Sequence, residues 1–137
     1  MKLVFFVVVL VFPLVAPAQD RAKPAGANTN DRGRYIVDHV AMCIECHTPR
    51  NAVGQLLMSQ YLLGAPIPVN APPFPNMQWA LKAPAIAGLS GYSNDQGIRL
   101  LMEGITAAGR TPSLPMPRYR MNRSDAEAVV RYLKSLQ

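Results

Sequence analysis

The sequence predicts an all-α chain, with a helix near its beginning and a helix at its end packing on each other. Three observations carry this. Apolar residues recur at helical spacing in three segments, two of those segments open on a capping box, and no strand pattern of any length appears. A short third helix and long loops, one of them rich in proline, complete the expected architecture.

Taken in order, the chain opens on Met1-Lys2, an apolar run from Leu3 to Ala16, and the small residues Ala16-Pro17-Ala18 before Gln19. This is the pattern of a secretory signal peptide over 1–18. The competing reading is a retained membrane anchor. The run is about 14 residues, short of the ~20 that a spanning helix needs, and Pro13 and Pro17 interrupt it. Cleavage near Gln19 is therefore the expectation. Residues 19–30 are small and polar without apolar periodicity and read as a flexible leader. Residues 31–137 then form one domain with a modest core. The net charge is +6, or +5 without Lys2, and Arg118, Arg120, Arg123, Arg131 and Lys134 fall late in the chain. Export argues against a nucleic-acid partner. The basic residues either steer an acidic protein partner or are plain solvated side chains.

A first helix is expected from about Asp31, its cap, with Tyr35, Ile36, Val40 and Cys43 on one face. His39 on this helix is either a second metal ligand or, more simply, a partly exposed polar residue. Pro49 ends the helical stretch. From Asn51 to Lys82, prolines at 66, 68, 72, 73 and 75 exclude helix and central strand. An ordered irregular loop follows, anchored by Leu57, Tyr61, Leu62, Phe74 and Trp79; so many large apolar side chains argue against disorder. Ser93-Asn94-Asp95-Gln96 and Ser124-Asp125-Ala126-Glu127 are capping boxes. The first opens a helix with Ile98, Leu101 and Met102 inside and Gly104 as its stop. The second opens the terminal helix, burying Val129, Val130, Leu133 and Leu136.

The chemistry centres on Cys43-Ile44-Glu45-Cys46-His47. Two cysteines two residues apart, followed at once by histidine, are the attachment signal for c-type haem. One helical turn brings both thiols to one side for thioether bonds to the vinyl groups, and His47 meets the iron as proximal ligand. These are the only cysteines in the chain, so they account for one haem. A Cys43–Cys46 disulfide is the main competitor. A thioredoxin-like pair would need a βαβ setting, and a structural zinc would need four ligands. If haem is present, its sixth position is either open or filled by methionine, a neutral thioether that raises the potential. Met116 stands between Pro115 and Pro117, whose fixed φ angles stiffen its loop. Met121 competes with it; Met42, Met58, Met77 and Met102 lie where packing is the ordinary role. Trp79 either donates to a haem propionate or simply packs.

The pentad, Met116 in its proline loop and the Tyr132-Leu133 ending resemble the class I c-type cytochromes. Ala83-Pro84-Ala85-Ile86-Ala87-Gly88 is similar to that family's Gly-Pro-x-Leu-x-Gly segment, with alanine for the first glycine and the proline-rich loop lengthening its distance from His47. The resemblance, which spans residues 33 to 136, implies the class I cytochrome c fold around one covalently bound haem c. It also implies that the Pro84 carbonyl accepts a hydrogen bond from His47 Nδ1 and that Ile86 packs on the haem. The iron ligands would be His47 and Met116. Attachment outside the cytoplasm, a family property, fits the export signal and a periplasmic location. Cys-His-Thr-Pro-Arg with the Met-Pro and Tyr-Leu endings is similar to cytochrome subunits of periplasmic alcohol and aldehyde dehydrogenases. The expected function is therefore one-electron transfer, with no substrate chemistry of its own. Its partners would be redox proteins with acidic docking surfaces, such as a dehydrogenase or terminal oxidase. Two alternatives stand beside it: a haem enzyme or gas sensor with an open sixth site, and a haem-free disulfide module.

Overall fold

The computed structural model describes residues 29–136. The signal peptide expected over 1–18 lies outside them, as does the flexible leader up to residue 28. Thr29 and Asn30 belong instead to the first helix, α1 (Thr29–Tyr35). A π-turn (Ile36–Val40) and α2 (Cys43–His47) follow. Then come β1 (Ala65–Pro66), β2 (Lys82–Ala83), α3 (Asn94–Glu103) and α4 (Arg123–Ser135). Among the described residues no helix is long and apolar enough to cross a membrane.

The single helix expected from Asp31 through the pentad is broken in two places. The Ala41 N–H bonds the Ile36 carbonyl at 2.7 Å, closing the wider i→i+5 ring of a π-turn. Met42 then takes φ +52°, in the left-handed region, before α2 begins. The wider turn rotates the apolar face. Ile36 and Val37 are buried, while Tyr35 and Val40 are exposed.

The terminal helices do pack on each other. Their closest approach is at Gly33, where a Cβ would stand 2.2 Å from the Ala128 carbonyl oxygen and 2.6 Å from Tyr132 Cβ. Only a residue without a side chain allows this contact. At one edge the Arg32 guanidinium holds Asp125 through two parallel bonds of 2.9 and 3.0 Å, the fork geometry that suits Arg and a carboxylate. α4 supplies much of the core through Val129, Val130 and Leu133, with Leu136 half-buried. Its cap differs from the expected one. Asn122, not Ser124, accepts the N–H of Asp125 at 2.9 Å, and the Ser124 hydroxyl itself donates to Asn122 Oδ1. The asparagine two residues earlier satisfies the free N–H, so the Ser-x-x-Glu box is overridden. α3 follows expectation. Ser93 and Gln96 exchange both bonds of a capping box, Leu101 is buried, and Gly104 closes the helix at φ +70°.

The long loop is where the all-α expectation is corrected. β1 and β2 form an antiparallel pair, Ala65 opposite Ala83 and Pro66 opposite Lys82. Two residues are too few to show alternation in a sequence, and proline is tolerated at such an edge. Leu62 is fully buried and Leu57, Tyr61 and Trp79 are half-buried, but Phe74 is 64% exposed and anchors nothing. Tyr61 ties the loop to both ends of the domain. Its hydroxyl donates to Asp38 on the π-turn and lies 3.1 Å from the Tyr132 hydroxyl on α4. With the Tyr61 proton committed to the carboxylate, Tyr132 is the donor between the two phenols. The far end of the loop pairs Trp79 with Leu114, the Ala80 N–H reaching the Leu114 carbonyl at 2.6 Å.

Candidate haem-attachment site

Cys43 and Cys46 occupy one turn of α2, three residues apart and so on one side of it. Both are free thiols and both are half-buried. Burial pushes the Cys43 thiol up to about 11, so it is held as the neutral thiol. Thiolate-based redox or metal chemistry needs the opposite shift. Among the described residues no group of three or more His, Cys, Asp or Glu is disposed to hold a metal ion.

His47 closes the same helix and is buried. Its Nδ1 lies 2.7 Å from the Pro84 carbonyl oxygen. A carbonyl only accepts, so this contact places the proton on Nδ1 and leaves the Nε2 lone pair unencumbered. Burial lowers the imidazole pKa, and the Pro84 bond opposes that shift in part. The ring is thus neutral at pH 7, the state in which imidazole binds a metal. The contact that family resemblance implies between Pro84 and His47 is present, although alanine precedes Pro84 and 37 residues separate the pair.

Tyr119 was not legible as a site residue. Its hydroxyl donates to the Ala41 carbonyl at 2.7 Å, next to the left-handed Met42 that starts α2. Burial pushes its phenol above the ordinary range. Nothing around Tyr119 in the sequence signals this; the contact spans 78 residues.

No family model matches the chain. Three curated proteins do. A "Diheme cytochrome c-type" of Cereibacter sphaeroides is 30% identical over 113 residues, 79% of this chain and 36% of that protein. The "Fructose dehydrogenase cytochrome subunit" of Gluconobacter japonicus is 36% identical over 77% of this chain and 22% of its own length. A nicotinate dehydrogenase subunit of Pseudomonas putida is 30% identical over 78% of this chain and 9% of its own. The likeness is to c-type cytochromes. The chain spans about a third or less of the length of each of these relatives.

The haem group of c-type cytochromes fits the residues present: two thiols on one turn and a neutral imidazole with its outer nitrogen free. The other expected site residues are placed as follows. Ile86 is half-buried, packs against the core and gives its N–H to the Leu62 carbonyl. Met116 is half-buried in the loop between α3 and α4, its N–H on the Ser113 carbonyl at 3.2 Å. Met102 and Met121 pack on the hydrophobic core. His39 is exposed, 5.6 Å from the Tyr35 ring. Of the late basic residues, Arg118, Arg120, Arg123 and Arg131 are exposed, whereas Lys134 donates to the Tyr92 carbonyl at 2.8 Å.

Proposed function

We propose that this chain is an electron-transfer protein carrying one haem c, attached through Cys43 and Cys46 and ligated by His47 and Met116. The observation that carries the reading is the 2.7 Å contact from His47 Nδ1 to the Pro84 carbonyl, immediately after a thiol pair on the same turn. It supplies the carbonyl acceptor that a metal-binding histidine ordinarily has. The chain holds two cysteines in all, in keeping with one haem. The bound haem would supply the one-electron couple; the protein holds the ring, orients its ligands and excludes water. Met116 suits the sixth position because two prolines stiffen its loop and the Ala80–Leu114 bond anchors that loop.

The signal-like residues 1–18 support export to the periplasm, where haem attachment and exchange with a redox protein would occur. The dehydrogenase subunits among the relatives support a dehydrogenase as electron donor. Exposed Arg118, Arg120, Arg123 and Arg131 support an acidic docking surface on the partner. Substrate chemistry would belong to that partner and not to this chain.

The test is expression with haem-maturation machinery, read by intact mass and visible absorption. The wild type is expected to gain one haem. Cys43→Ala and Cys46→Ala should each retain at most one thioether and hold the cofactor poorly. A wild type without Soret absorption, or two single variants with full covalent haem, would refute the reading.

A further inference from the structure

The bond from His47 to Pro84 spans two segments far apart in sequence, and a third segment lies between them. Leu62-Leu63-Gly64 is bonded to both. On one side, the Gly64 N–H donates to the His47 carbonyl at 2.8 Å, and the Leu62 N–H donates to Thr48 Oγ1 at 3.0 Å. On the other, the Leu62 carbonyl accepts the N–H groups of Ile86 and Ala87 at 2.9 and 3.2 Å. Gly64 takes φ +86°, and a Cβ there would stand 2.7 Å from the Ala85 nitrogen and 2.9 Å from the Pro84 carbonyl carbon. Its missing side chain is what lets residues 83–85 come this close. Thr48 is 1% exposed and Leu62 0%, so water cannot replace a lost partner. Leu62 holds φ +58°, a conformation leucine adopts only where its surroundings impose it.

We propose that Thr48, Leu62 and Gly64 are positioning residues, a backbone bridge that sets the length and direction of the hydrogen bond from His47 Nδ1 to the Pro84 carbonyl. The proposal rests on His47 being the iron ligand and adds what holds that ligand in place. Thr48 is the residue after the ligand, so its hydroxyl and the His47 carbonyl fix one end of the bridge. Leu62 and Gly64 fix the other by holding Ile86 and admitting Ala85. Loosening either end lets the Pro84 carbonyl drift from Nδ1. A histidine whose Nδ1–H is less well held is a less basic ligand through Nε2. The oxidised state then loses stabilisation and the reduction potential rises.

The experiment uses the haem-loaded, reduced protein with 15N-labelled histidine; the chain has two histidines, so the rings are told apart readily. The readouts are hydrogen exchange at His47 Nδ1, exchange at the Leu62 and Val129 amides, and the potential. Thr48→Val removes the acceptor at nearly constant shape, and Gly64→Ala inserts a methyl against residues 83–85. Each is expected to speed Nδ1 exchange by about tenfold or more by local opening and to raise the potential. Val129 in α4 should keep its protection, which a merely structural defect would not spare. Thr48→Ser, which retains the oxygen, should match the wild type. In the wild type itself, Leu62 and His47 Nδ1 should open together, with protection equal within about threefold. The proposal is overturned if the Leu62 amide exchanges far faster than Nδ1 in the wild type. It is overturned equally if a folded Thr48→Val or Gly64→Ala keeps wild-type exchange and potential. Haem loading is scored separately by mass. A chain that takes up no haem refutes the ligand reading, and the same exchange comparison made on the haem-free chain then tests the bridge by itself.

Discussion

Gly33→Ala tests whether the close crossing of the terminal helices sustains the domain. On propensity alone the change should help, since alanine exceeds glycine in a helix by about 0.8–1 kcal/mol. The packing says the reverse. The new methyl would lie 2.2 Å from the Ala128 carbonyl oxygen, with Tyr132 Cβ at 2.6 Å, where a carbon–oxygen contact normally sits near ~3.3 Å. Both obstacles are fixed to the α4 backbone, so no rotamer change relieves them. α1 must move out by about 1 Å, which forfeits a quarter to a half of each dispersion contact it made. Overpacking of this kind costs about 1–3 kcal/mol, occasionally more. The displacement also lengthens the Arg32–Asp125 pair. Because the obstacles are fixed to backbone, the upper end of that range applies, and about 3 kcal/mol less the ~1 gained in propensity leaves a net loss of about 2 kcal/mol. For a domain of about this size that is a fall in Tm of roughly 8–16 °C, measured by thermal unfolding of the reduced protein. A variant melting at or above the wild type would show that the helices do not meet as described.

The sixth ligand is separated by two variants. Met116→Ala is expected to give a high-spin or water-ligated haem with a lower potential, whereas Met121→Ala keeps the low-spin spectrum and costs about 1–3 kcal/mol of core packing; the reverse result would assign Met121. At the start of α4, Asn122→Ala should cost about 1 kcal/mol, with Ser124→Ala close to neutral, both by denaturant unfolding. Equal losses would restore the Ser124 box. The pH dependence follows from Asp125, whose carboxyl is held below the ordinary range by its hydrogen bonds and ion pair with Arg32. A depressed carboxyl contributes stability above its unfolded pKa of about 3.9 and loses it as pH falls through the folded value. Asp125→Asn should therefore be less stable at pH 7 by up to about 1 kcal/mol, as befits a pair open to solvent. It should converge on the wild type well below pH 4. A difference that persists in acid would mean the pair is not its source.

The sequence by itself determined the helical turn that carries Cys43, Cys46 and His47, because the three are near neighbours and their relation needs no other part of the chain. Ser93 and Gln96 are equally local, and that capping box formed as read. The spacing of Val129, Val130 and Leu133 was enough to place one buried face of α4. Only the tertiary structure decided what happens across long separations. Phe74 stayed outside while Leu62 went in. The π-turn and the left-handed Met42 redirect the chain between α1 and α2, and the spacing of Tyr35, Ile36 and Val40 does not reveal them. The Pro84 contact could be anticipated by resemblance, but its support could not. Thr48, Leu62 and Gly64 carry no pattern of their own; their roles come from backbone groups that meet only after the loop has folded over His47. Backbone N–H and C=O groups are the same at every position, so where they pair is written in the packing and not in the residue types.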